Sequence, residues 1–167
     1  GGSAYVLTSY VFDNLVGQDA SGAPAPELAK DWQRAEDGLS FVLTLDDKAT
    51  WHDGTDFTTQ DVAFTFDYMQ VYPHVFVSLR NVAGTEILSD DSIRISLKQT
   101  DAGFVPTVLM GLQSHPEHIY ADQKEPWRFA EPEAMIGSAP YRMIAHNKSQ
   151  GRYVFAAVDD YYGGTQK

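Results

Sequence analysis

The chain has 167 residues, 43% hydrophobic and 21% charged, a balance that suits one folded domain with a real core and argues against disorder. Its 12 basic residues stand against 23 acidic ones, so the net charge of −11 repels phosphate backbones and anionic lipid, and neither nucleic acid nor a membrane surface is an expected partner. Cysteine is absent, which removes disulfide scaffolds, thiol catalysis and cysteine zinc sites, and no apolar run approaches the ~20 residues that span a bilayer. Neither a signal peptide nor a starting methionine opens the sequence, so we expect a processed or excised piece.

In chain order, Tyr5 to Val16 carries Val6, Tyr10, Val11, Leu15 and Val16 at helix-like spacing and predicts a short helix. Gly17 to Pro26, rich in Gly, Ala, Ser, Asp and Pro, predicts a connection. Leu28 to Ala35 leads through Asp37-Gly38 into Leu39, Phe41, Leu43 and Leu45, which alternate with more polar neighbours and predict a hairpin with one buried face. Trp51 to Thr55 forms a polar turn, in which Asp-Gly supplies a residue that tolerates positive φ. A helix starts directly after it. Thr58 and Asp61 have the spacing of a capping box, Phe57 and Val62 that of a hydrophobic staple, and Val62, Phe66 and Met69 make one apolar stripe, widened by Phe64 and Tyr68.

Val71 to Arg80 is aromatic and irregular, broken by Pro73 and His74. Val82 to Leu88 and Ser92 to Lys98 flank Ser89-Asp90-Asp91 as a second hairpin. Phe104, Val105, Val108, Leu109 and Leu112 share one helical face, with Pro106 in the first turn, and predict another helix. A long connection from His115 to Ile136 follows, and Tyr141 to His146 with Arg152 to Val158 predict a third hairpin around Asn147 to Gly151. Strands close in sequence pair antiparallel, so the predicted class is α+β, with no internal repeat.

Several of these stretches together resemble the signature region of the family 5 extracellular solute-binding proteins, the oligopeptide, dipeptide and nickel receptors of ABC importers. They are Leu28 to Trp32, Glu36 to Leu39, Trp51 to Thr55 with Phe57, Thr58, Asp61 and Val62, then Gly137-Ser138-Ala139-Pro140-Tyr141 and Tyr161-Tyr162-Gly163-Gly164. The family usually reads Gly-Thr-Gly-Pro-Tyr and Tyr-Trp-Gly-Gly at the last two. The resemblance implies part of the type II periplasmic-binding-protein fold, lacking the second lobe. It divides the chain into an N-terminal helix and connection (1–26), a small extra subdomain of lobe I (27–112), a long connection (113–136) and a return hairpin of lobe I (137–167).

The function it implies is capture of a solute, first of all an oligopeptide, between two lobes and delivery to the membrane permease of an ABC importer. No cofactor and no catalysis are implied. The location it implies is periplasmic or extracellular, with lipid anchoring left open for the full-length protein. Carried over by motif spacing, ligand contacts are expected from Tyr5 before the first helix, from Phe76 on the aromatic loop after the central helix, and from the apolar turn at Leu112 and Gln113. Aromatic rings suit such contacts, offering large area at small entropic loss.

Two readings from other classes stand beside this one. A metal-dependent hydrolase would use His52, Asp53, His115 and His118, but Pro116 between the last two imidazoles favours a loop over the i, i+4 register of a metalloprotease helix. The acidic pairs Asp46-Asp47, Asp90-Asp91 and Asp159-Asp160 fall at strand ends and read as solvated turns, and no Gly-x-Ser-x-Gly elbow is present. A ligand-sensing domain of a regulator would need an attached DNA-binding or signalling domain, and the sequence shows none.

Overall fold

The structure is a computed structural model that describes residues 8–73, 75–129, 131–147 and 149–164. At its centre is an antiparallel sheet in the order β3-β4-β6-β5, built from β3 (Ala29–Arg34), β4 (Ser40–Leu45), β5 (Val82–Ile87) and β6 (Ser92–Leu97). Both hairpins expected from the alternating pattern form. What local pattern did not announce is the seam between them, where β4 pairs with β6 and sets Phe41 opposite Ile95 and Leu43 opposite Ile93. Cross-strand apolar pairs of this kind stabilise a sheet by joining surfaces that each strand must bury anyway. One face of β4 and β6, comprising Phe41, Leu43, Leu45, Ile93, Ile95 and Leu97, is buried.

The central helix α1 (Thr59–Val71) packs on β5 and β6. Its start is the predicted one: Thr58 is the cap, and the Asp61 carboxylate accepts from the Thr58 backbone N–H at 2.9 Å and from its hydroxyl at 3.0 Å. Val62, Phe66 and Met69 are buried as the stripe required, and Phe57 lies in the same core with its ring edge-on to Trp51. Gly54 takes the left-handed conformation at φ 88°, which explains why Asp-Gly occupies the turn. The residues expected to wind as a helix over Phe104–Leu112 instead form a wider π-helical turn, Val105–Leu109, in which the Met110 N–H reaches back to the Val105 carbonyl. Phe104, Val108, Leu109 and Leu112 are nevertheless buried as predicted, and Phe104 stacks on Phe41 at 5.1 Å. Beyond it lie α2 (Glu117–Tyr120), two 3₁₀ turns (Pro126–Arg128 and Pro132–Met135), and the predicted third hairpin, β7 (Tyr141–Asn147) with β8 (Arg152–Ala157).

The N-terminal expectation needs correction. Tyr5 to Leu7 of the expected helix lie outside the described residues. Beyond Thr8, whose carbonyl accepts from Val11 and Phe12, the chain leaves helical geometry, and Val16–Gln18 forms strand β1 against β2 (Pro24–Pro26). The region read as an irregular connection is thus a small hairpin, turned by the Asp19 carboxylate accepting from Ser21 and Ala23 amides. Prolines are compatible with β2 because it pairs on one side only, so their missing donors fall on the unpaired edge.

Residues 10–15 then thread between distant segments. Ala29 N–H reaches the Leu15 carbonyl, Asn14 bridges Gln113, Ala139 N–H reaches the Val11 carbonyl, and Tyr141 N–H reaches the Tyr10 carbonyl. The approach is so close that a Cβ at Gly137 would lie 1.9 Å from the Val11 carbonyl oxygen. Glycine is required there for space, since backbone on both sides cannot rotate away. Replacing Gly137 by Ala is expected to cost about 3 kcal/mol and to lower Tm by on the order of 10 °C, read by far-UV circular dichroism on heating.

Candidate ligand-contact site

The polar turn before α1 reaches across to the Gly137–Tyr141 motif. His52 N–H donates to the Gly137 carbonyl at 2.7 Å, the Gly137 N–H donates to His52 Nδ1 at 3.2 Å, and His52 Nε2–H donates to the Ala139 carbonyl at 2.8 Å. Those partners assign the neutral ring with its proton on Nε2. Burial holds the His52 pKa below its ordinary value, and the nearby Arg142 guanidinium adds to the effect. Ser138 and Ala139, where the family usually places Thr and Gly, fit without strain: the Ser138 Oγ accepts from the Asp13 N–H at 3.2 Å, and no residue other than glycine has positive φ among the described residues.

The other candidate chemical groups are similarly engaged. Asp53 accepts from Thr55 and pairs with His118 Nε2 at 2.7 Å. Partial burial alone would raise the Asp53 carboxyl, but the hydrogen bonds from His118 and Thr55 outweigh it and hold the group below the usual carboxylate range. His115 Nδ1 meets the Gln113 carbonyl at 2.9 Å, and its ring stacks on Phe12 and meets Tyr120 edge-on. Asp61, besides closing the capping box, accepts from the Glu117 N–H and so fixes the start of α2. Among the described residues no three His, Asp or Glu side chains are placed to hold one metal ion. His52, His115 and His118 therefore serve three separate internal contacts rather than one centre.

A buried acidic cluster escaped sequence reasoning. The Asp13 carboxylate, almost fully enclosed, accepts from the Tyr162 hydroxyl at 2.9 Å and the Tyr161 hydroxyl at 3.2 Å, while Glu27 accepts from the Asn14 N–H. Burial pushes Asp13 up to about 6 against the pull of the two tyrosines. Burial, and next the Asp13 charge, push Glu27 up to about 8. The one local signal for Asp13 is an acid inside the apolar run Val11 to Val16; its partners, nearly 150 residues away, give none.

Of the four expected ligand contacts, Tyr5 lies outside the described residues. Phe76 is 58% exposed and Val75 88% exposed, on the loop after α1. Leu112 and Gln113 are buried, at 1% and 5% exposure. Phe76 and the 112–113 turn stand on adjoining segments, because a Cβ at Gly111 would lie 3.2 Å from the Val77 side chain. The segment following Tyr5 reaches the same turn through the Asn14–Gln113 bridge. Asn14 Oδ1, Gln113 Nε2 and Ser114 Oγ are buried there without a hydrogen-bond partner among the described residues.

Comparison with known proteins supplies the family. The sequence model described as bacterial extracellular solute-binding proteins, family 5 Middle, matches residues 23–167. The chain belongs to this family. It is a family of solute-binding proteins of transporters rather than of enzymes. A Brucella ovis protein carrying the provisional name of ABC transporter peptide-binding protein is 31% identical over 148 residues, covering 83% of this chain and 27% of that protein. The nickel-binding periplasmic protein of Escherichia coli is 28% identical over 166 residues, covering 93% and 30%. Among solved structures, the oligopeptide-binding protein AppA from Bacillus subtilis in complex with a nonapeptide shares the fold, with a TM-score of 0.80 at 20% identity over 98% of this chain and 33% of that one. The chain therefore spans between a quarter and a third of the length of these family 5 relatives, and its mixed helices and antiparallel strands are part of the type II periplasmic-binding-protein fold.

Two measurements probe the junction. His52→Ala leaves the Gly137 N–H and Ala139 carbonyl unpaired in a buried place and should cost about 2–4 kcal/mol in urea unfolding. For Glu27, the fold binds a proton that the unfolded chain releases above about 4.5, so stability should fall as pH rises from 4.5 through about 8. Glu27→Gln should flatten that slope; an unchanged slope would mean the carboxyl titrates normally.

Proposed function

We propose that this chain forms one jaw of the solute-binding component of an ABC importer, which captures an oligopeptide between two lobes and hands it to a membrane permease. Closure of two bodies about a hinge would then signal occupancy to the permease. The observation that carries the reading is the nearness of an exposed aromatic loop at Phe76 to two buried amide atoms without a partner among the described residues, Gln113 Nε2 on the adjoining turn and Asn14 Oδ1 on the segment bridged to it. A peptide unit carries both the acceptor and the donor that such a pair needs. The kinship to a protein named for peptide binding favours a peptide over a metal complex, although a nickel-binding relative matches over more of the chain. Periplasmic or extracellular placement follows the family's description, and no helix among the described residues is long and apolar enough to cross a membrane. The division of the chain into lobe I segments at 27–112 and 137–167 is part of the same proposal.

In the full-length protein, Phe76→Ala should weaken peptide affinity about tenfold, as loss of an aromatic anchor does, with a much smaller effect on Tm because the ring is 58% exposed. The 167-residue chain alone should bind peptides weakly or not at all by calorimetry; submicromolar affinity without the facing lobe would contradict a clamp. The hydrolase reading makes the opposite demand, namely tight stoichiometric Zn²⁺ binding abolished by His52→Ala. Titration should show no such binding, since each imidazole is committed to an internal partner.

A further inference from the structure

Below the exposed loop, between it and the end of α1, lies a hollow of about 510 Å³, within the size range of small-molecule sites. Its lining is unusual for this molecule. Met69, Val75, Phe76 and Leu79 give it apolar lining, Gln70, Ser78, Arg80 and Lys98 give it polar lining, and no Asp or Glu among the described residues contributes. In a chain with nearly two acids per base, a depression with two cations and no carboxylate is a local reversal of the overall field. Lys98 Nζ donates to the Arg80 carbonyl at 2.8 Å, which holds the two residues side by side, and no carboxylate among the described residues forms an ion pair with either. The last turn of α1 carries no basic residue, so its carbonyl ends would resist an anion unless those two cations outweigh them.

We infer that this hollow receives the part of the solute that joins an apolar side chain to a carboxylate, with Arg80 and Lys98 facing the carboxylate and Phe76 and Met69 the apolar group. A guanidinium meets a carboxylate in a two-point fork and an ammonium adds a point charge, so together they select a negative group while the aromatic wall selects what is attached to it. A peptide offers that combination at its C-terminal residue or at an acidic side chain next to an apolar one. The inference rests on the peptide reading above and narrows it.

The test uses the full-length protein and calorimetry with three probes: the tripeptide Ala-Ala-Phe as free acid, the same peptide as C-terminal amide, and Ala-Glu-Phe amide. The expected result is that the free acid binds more tightly than its amide. The double variant Arg80→Gln/Lys98→Gln should lose roughly ten- to hundredfold in affinity for the free acid and little for the amide. Tight binding of Ala-Glu-Phe amide, lost in the same variant, would identify a side-chain carboxylate as the group received. Arg80→Lys, which keeps the charge but not the fork, should recover part of the loss, a response that a merely structural role would not give. Equal affinity of acid and amide for the parent, or a double variant that weakens both alike, overturns the assignment while leaving peptide capture intact. Failure of the parent to bind any of the three overturns the peptide reading and this assignment with it.

Discussion

The structure depends on how closely two pieces of backbone approach each other. The Val11 carbonyl lies where a side chain at residue 137 would begin, and the same carbonyl accepts the Ala139 amide. Such proximity is possible only with glycine, and it is fixed from the other side by His52, which makes three hydrogen bonds to residues 137 and 139. Three stretches more than forty residues apart thereby become one rigid junction. The turn that carries His52 also opens the central helix, so the orientation of α1, and of the loop that follows it, is inherited from this contact.

Polar groups in the junction are arranged for rigidity. The neutral His52 ring can serve as donor and acceptor at once, and burial keeps it neutral. Asp13, enclosed by two tyrosines, ties residues 161 and 162 to the N-terminal segment through its side chain and residues 114 and 138 through its backbone. Asp61 joins a helix cap to the start of α2. Each of these is a group that a reaction centre could have used, and each is spent on holding segments together. Exposed apolar surface, and two basic residues with no ion-pair partner among the described residues, are left instead at the loop after α1.

Much of this was legible in the sequence because it is local. Thr58, Asp61, Phe57 and Val62 lie within five residues of one another, so the cap and the staple are complete without any distant partner. The alternation in Leu39 to Leu45 and Ile93 to Leu97 likewise declares its own buried face. The first strand was misread because Val16 satisfies a helical period as well as a strand, and what decided between them was pairing with a proline-bearing segment whose edge position could not be seen locally. The expected ligand contacts at Tyr5, Phe76, Leu112 and Gln113 came only through family resemblance, since no local pattern marks them. Their burial and the cations beside Phe76 followed from packing.

By itself the sequence determined the central helix, the three hairpins with alternating or turn-flanked strands and the polar turn, whose signals repeat over a few residues, and through its ordered motifs the family. Tertiary structure alone decided that β4 lies against β6, that Asp13 is buried beneath Tyr161 and Tyr162, and that the histidines serve separate partners. The physical reason is range. Backbone propensity and capping act over a turn or two of chain, whereas desolvation and close backbone approach depend on which distant atoms arrive, and no local pattern records that.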